Sequence, residues 1–133
     1  LFFRLLNEGK RFHRIDLAQP AGREELLALV RDADVLVEGF RPGVMDKLGV
    51  GWPVLQAANP RLVMASISGY GQTGPFARKA GHDLNYIGYA GVLDQIATRE
   101  GELAIPNFQI GDLLGGTQAA VSGILAALLA AQR

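Results

Sequence analysis

The order of elements along this chain predicts an α/β fold, a parallel sheet with flanking helices. Two observations lead there. Short apolar stretches, Val35-Leu36-Val37 and Leu62 to Ile67, are separated by segments with helical periodicity. Glycine is frequent, at 17 of 133 residues, beside an apolar content of 49%, which suits many tight turns between such elements.

Arg11 to Leu17 reads as a short strand with Ile15 and Leu17 on one face, broken by Pro20 and Gly22. Arg23 to Asp32 reads as a helix, because Leu26, Leu27 and Val30 form one apolar stripe. Val35-Leu36-Val37 then has the continuous apolarity of a strand buried on both faces. Glu38 to Gly43 is the loop at its C-terminal end, where open α/β sheets place ligands. A short helix is expected over Val44 to Leu48, and another from Pro53 to about Ala58, proline being tolerated at a first helical position. Leu62 to Ile67 is a second buried strand, and Gly69 to Pro75 a loop. Asp83 to about Ile96 is mostly helical in pattern, although Gly88 and Gly91 weaken it. Glu100 to Asn107 is a polar loop, and Asp112 opens a long apolar helix. This set falls short of a complete doubly wound domain.

Composition narrows the function. Basic and acidic residues balance at 13 each, which leaves no electrostatic footprint for nucleic acid. Cysteine is absent, so there is no disulfide framework, thiol nucleophile or thiolate metal site, and a reducing cytoplasm is permitted. The two histidines, His13 and His82, lie far apart with no carboxylate cluster at metal spacing, so a catalytic metal is not expected. From Leu113 to Ala131 no residue is charged, close to the length of about 20 that a membrane span needs. Gly, Ala, Thr117, Gln118 and Ser122 within it, without a basic or aromatic belt, read instead as a buried core helix. The sequence begins at Leu1 without methionine and stops at Arg133 straight after that run, so a piece of a longer protein is expected.

Two residues stand out as acid/base candidates. Asp112 follows Gly111 at the apparent start of the longest helix. Its plain reading is an N-cap, since aspartate there accepts orphan backbone N–H bonds. Its functional reading is a carboxylate where the helix dipole favours negative charge, able to act as base or nucleophile. His82 lies between Gly81 and a predicted helix, and histidine is the side chain that most readily gives or takes a proton near neutral pH. Arg41, after the first buried strand, is either an anion ligand or a solvated loop charge. Gly69 to Pro75 lacks the lysine of a P-loop and the third glycine of a dinucleotide fingerprint, so a tight turn past a neighbouring element is its plain reading.

Read together, several segments resemble the family III coenzyme A transferases and the α-methylacyl-CoA racemases, which share one superfamily of the CaiB/BaiF type. The matching stretches are Leu6 to Arg11, Ala33 to Val44 with its Phe40-Arg41-Pro42-Gly43, Asn59 to Leu62, Ser66 to Pro75 with its Gly71-Gln72-Thr73-Gly74-Pro75, and Gly81-His82-Asp83. The resemblance implies a Rossmann-like large domain along which the CoA nucleotide lies. Residues 1–133 would be part of that domain, lacking its N-terminal start and the small domain that follows. It also implies an interlocked homodimer, an acyl-CoA substrate, no cofactor beyond the coenzyme A of that substrate, and no nucleic-acid or membrane partner. By position, Ile15, Asp16, Leu17, Ala18, Gly39, Phe40, Arg41 and Lys47 would line the CoA site. Gly81, His82, Asp83, Leu84, Asn85 and Tyr86 would approach the thioester.

The resemblance carries two chemistries. In the racemases a histidine and an aspartate serve opposite faces of the α-carbon, matching His82 and Asp112, and the backbone N–H of Asp83 would stabilise the enolate oxygen. In the transferases the aspartate is a nucleophile that forms a mixed anhydride and then an enzyme-bound CoA thioester; Asp112 matches that role too. His82 favours the racemase form, since transferases usually carry another residue there. Racemases typically place an asparagine four residues before the aspartate, where this sequence has Phe108, with Asn107 one residue earlier. A non-catalytic CoA-binding module is the third possibility.

Overall fold

The computed structural model describes residues 2–131, and its elements are set by a two-stranded parallel sheet with helices around it. Helix α1 (Phe2–Leu6) leads through turns and irregular chain to α2 (Pro20–Arg31). Strand β1 (Val35–Glu38), short helices α3 (Val44–Lys47) and α4 (Trp52–Ala58), and strand β2 (Val63–Ser66) follow. The strands pair in register from Val35 opposite Val63 to Glu38 opposite Ser66. Parallel neighbours need a crossover, and α3 and α4 supply it. The α/β expectation therefore holds at both apolar strands and at the helices between them, but neither strand is buried on both faces as expected: every residue of β2 is half-buried and Val37 of β1 is exposed, because a sheet of two strands has little to cover its second face.

The core lies where α2, α3 and α4 meet the sheet. Val30, Met45, Val50, Leu55 and Leu62 are buried there, with Leu26, Leu27, Leu36 and Met64 packed around them. Asn59 locks the end of α2 to this layer: its side-chain amide donates to the carbonyls of Val30 (3.0 Å) and Ala33 (2.8 Å), at and just beyond the last turn of the helix.

Four expectations are corrected. Arg11 to Leu17 is not a strand; it has no regular structure up to a turn at Leu17, and among the described residues no strand lies beside it to form a ladder. Helix α2 starts at Pro20, not Arg23, because proline in the first turn loses no hydrogen bond. Gly22 inside it is a contact rather than a break: a Cβ there would lie 2.0 Å from the Asp16 carbonyl oxygen. The helix expected to reach Ile96 ends earlier. Helix α5 spans Asp83–Tyr89, since Gly91 takes a left-handed φ of 76°, and a separate 3-10 turn covers Leu93–Gln95.

The fourth correction concerns the long apolar run. It begins at Ile110, so Asp112 is its third residue and Gln109, not Asp112, occupies the cap. Ile110–Gln118 winds as a π-helix before α6 (Ala119–Ala131) continues as an ordinary α-helix. The Thr117 hydroxyl donates to the Asp112 carbonyl five residues earlier (3.0 Å), which supports that wide winding. No residue of α6 is buried. Gly116, Ala120, Ile124, Ala127 and Leu128 form a half-buried stripe on the side where α6 meets β2, while Val121, Leu125 and Leu129 face outward. A sheet of two strands covers only one stripe of such a helix. Length and composition alone would also let Ile110–Ala131 cross a bilayer.

Candidate active site

Both strands end toward the same place. The loop after β1 brings Gly39, Phe40, Arg41 and Pro42, and the chain after β2 brings Ile67, Ser68 and Gly69, to one cleft of about 870 Å³. The start of α5 contributes Gly81, His82 and Tyr86, and the π-helical segment contributes Gly111 and Asp112. Residues 71 positions apart in sequence (Arg41 and Asp112) thus share a wall with His82, at the C-terminal strand ends where α/β sheets place ligands.

Local chemistry explains the placement of each group. His82 caps α5 in extended conformation, and its N–H donates to Asn85 Oδ1 (2.9 Å), which closes the first turn. Its imidazole sits on an exposed residue facing the cleft. The Tyr86 hydroxyl donates to the Gly81 carbonyl, tying the loop before His82 down onto α5. Tyr86 packs edge-on against Tyr70 (5.2 Å), and Tyr70 against Phe76 and Tyr89, so the Gly69 to Ala80 loop rests on an aromatic cluster. That packing needs glycine at 69, where a Cβ would lie 2.4 Å from the Tyr86 ring. Asp112 is exposed toward the cleft, and its backbone N–H donates to Asp83 Oδ1 (2.8 Å).

The expected site residues divide into two groups. Gly39, Phe40, Arg41, Gly81, His82, Tyr86 and Asp112 come together in the cleft. Asp83 lies buried beside it, and Leu84 and Asn85 continue α5 away from its lining. Ile15, Asp16, Leu17, Ala18 and Lys47 do not line it. Leu17 packs against the core, and Asp16 Oδ1 accepts the Ala18 N–H (3.0 Å) in a turn before α2. A second cavity of about 310 Å³ shares Arg41 with the cleft and adds Glu38, Asp46, Trp52 and Gln72. Sequence reasoning passed over Arg78 and Lys79, which also line the cleft. Two adjacent cations just before Gly81-His82 were the available signal. Lys79 in addition lies 3.9 Å over the Phe76 ring.

An α/β scaffold here brings a histidine and a carboxylate into one cleft lined also by Arg41, Arg78 and Lys79, an arrangement chemically able to move a proton or attack a carbonyl and to hold an anion. The chain belongs to CoA-transferase family III, whose model matches residues 1–133. It is similar to human α-methylacyl-CoA racemase, 45% identical over 123 residues, covering 92% of this chain and 32% of that protein. It is also similar to the succinyl-CoA–L-malate CoA-transferase alpha subunit of Chloroflexus aurantiacus, 43% identical over 116 residues, covering 86% of this chain and 27% of that one. Among solved structures, a hypothetical protein of Mycobacterium tuberculosis superposes with a TM-score of 0.83 at 38% identity, over 96% of this chain and 36% of that one. A CaiB/BaiF family protein from Brucella suis gives 0.81 at 36% identity, over 92% and 32%. The chain spans between about a quarter and a third of the length of these relatives.

Proposed function

We propose that the full-length protein epimerises the α-carbon of a 2-methylacyl-CoA thioester by two-base proton transfer. The observation that carries this reading is the placement of His82 and Asp112 on one cleft. One group removes the α-proton, and the C–H electron pair moves into the thioester carbonyl as an enolate. The conjugate acid of the other returns a proton to the opposite face. The enolate oxygen needs a donor, and the Asp83 N–H opens α5 at a position where a helix supplies no intrahelical acceptor. Arg41, Arg78 and Lys79 suit the phosphates of coenzyme A. In the same reading coenzyme A belongs to the substrate and no other cofactor is required. This stretch forms part of the large CoA-binding domain of a cytoplasmic homodimer, with α6 packed in protein rather than lipid.

Deuterium wash-in at the α-carbon, followed by NMR in heavy water, tests the proposal. Exchange in both epimers is expected; no exchange, together with CoA transfer to a free carboxylate, would sink it. Phe108 in place of the racemase asparagine favours a second reading, in which Asp112 attacks the thioester as a nucleophile. That reading requires a hydroxylamine-trappable acyl or CoA adduct on Asp112, and fails without one.

A further inference from the structure

We propose that Asp83 is a positioning residue whose carboxylate holds Asp112 against the start of α5 and so sets the spacing between the two reactive side chains. The inference deepens the acid/base reading of the cleft and rests on it for its kinetic consequences.

Asp83 is the one buried charged side chain among the described residues. A buried carboxylate is costly unless hydrogen-bonded, and this one accepts the Asp112 N–H at 2.8 Å across 29 residues of sequence. It has no cationic partner: the ion pair found among the described residues joins His13 and Glu25. The carboxylate therefore does not serve a salt bridge; its contact is with the backbone of the other candidate residue. Asp83 directly follows His82, so a single side chain links the backbone carrying one reactive group to the backbone carrying the other. The approach is close enough that Gly111 cannot gain a side chain freely. A Cβ there would lie 3.1 Å from Asp83 Oδ1 and 3.3 Å from Tyr86 Cβ. Asp112 sits in π-helical winding, away from the stripe that seats α6 on β2. Asp83 is thus the anchor of its end of that helix.

The test uses the full-length protein with Asp83→Ala and Asp83→Asn, the latter retaining an acceptor oxygen in the same place. Misplacement of a reacting group costs about 100-fold, so Asp83→Ala should lower kcat by about that factor with KM little changed. Asp83→Asn should stay within about tenfold of wild type. The readout is α-proton exchange or, should the nucleophilic chemistry operate, the rate of Asp112 adduct formation. Unchanged kcat in Asp83→Ala overturns the proposal, as does equal loss of kcat and KM in both variants. The Asp112 amide resonance gives a measurement independent of either reaction and of whether Asp83→Ala folds. In wild type it should be shifted downfield and protected from exchange, and it should move upfield in Asp83→Asn; an unmoved resonance overturns the proposal. A wild-type protein that lacks both chemistries sinks the functional reading, while the amide still decides the role of Asp83.

Discussion

His82 and Asp112 have different weight. Asp112 is required by proton transfer and by nucleophilic attack, so Asp112→Asn should abolish turnover in either chemistry, read as loss of both wash-in and trappable adduct. His82→Ala separates them: about 100- to 10,000-fold loss of exchange is expected from removing a general acid/base, with any Asp112 adduct left forming. Around this pair, individual side chains hold the geometry. Tyr86→Phe removes the hydroxyl that ties down the Gly81 carbonyl and should destabilise by about 1 kcal/mol in urea unfolding. Gly69→Ala should cost more, because its Cβ meets the Tyr86 ring, which must move off both Tyr70 and the Gly81 carbonyl. Sequence singled out His82 and Asp112 because few residue types move protons. It passed over the Asp83 side chain, since an acid in a first helical turn looks like an ordinary dipole partner.

At the scale of elements, the layer under the cleft depends on a small core. Leu55 is fully buried between α2 and the sheet, so Leu55→Ala should destabilise by about 2–5 kcal/mol, measured by the urea midpoint. Strands β1 and β2 and helices α3 and α4 were legible within a residue or two, because local apolar runs and proline positions decide them. Arg11 to Leu17 was not, because a strand is made by its neighbour as much as by its own alternation. The early end of α5 depended on the left-handed turn at Gly91, and glycine within a helical pattern does not say whether it will be tolerated or will terminate. The π winding of Ile110–Gln118 left no periodicity to read: its apolar residues and glycines fit an α-helix equally well.

For the whole molecule, surface area is the informative quantity. A folded monomer of 14.2 kDa exposes roughly 6,800 Å², whereas this chain exposes 10155 Å². Val121, Leu125 and Leu129 on α6, and Phe2, Phe3 and Leu5 on α1, account for part of the excess. The isolated chain should therefore bind a hydrophobic dye strongly and melt without a cooperative transition; a sharp melt would favour a free-standing CoA-binding module. Family and scaffold were legible from motifs spread along the chain, while the poor burial of α6 was not, since apolar content cannot say how much cover a helix receives. The π-helical segment joins these two regimes. Its near end lies on α5 and its far end continues into α6, which meets β2, and each residue in it turns the helix through a smaller angle than in α-helical winding. It sets the phase between scaffold and chemistry: an inserted or deleted residue between Asp112 and α6 would rotate the carboxylate around the helix axis relative to the sheet, and so pit the seat of α6 against the Asp83 bond that holds the other end.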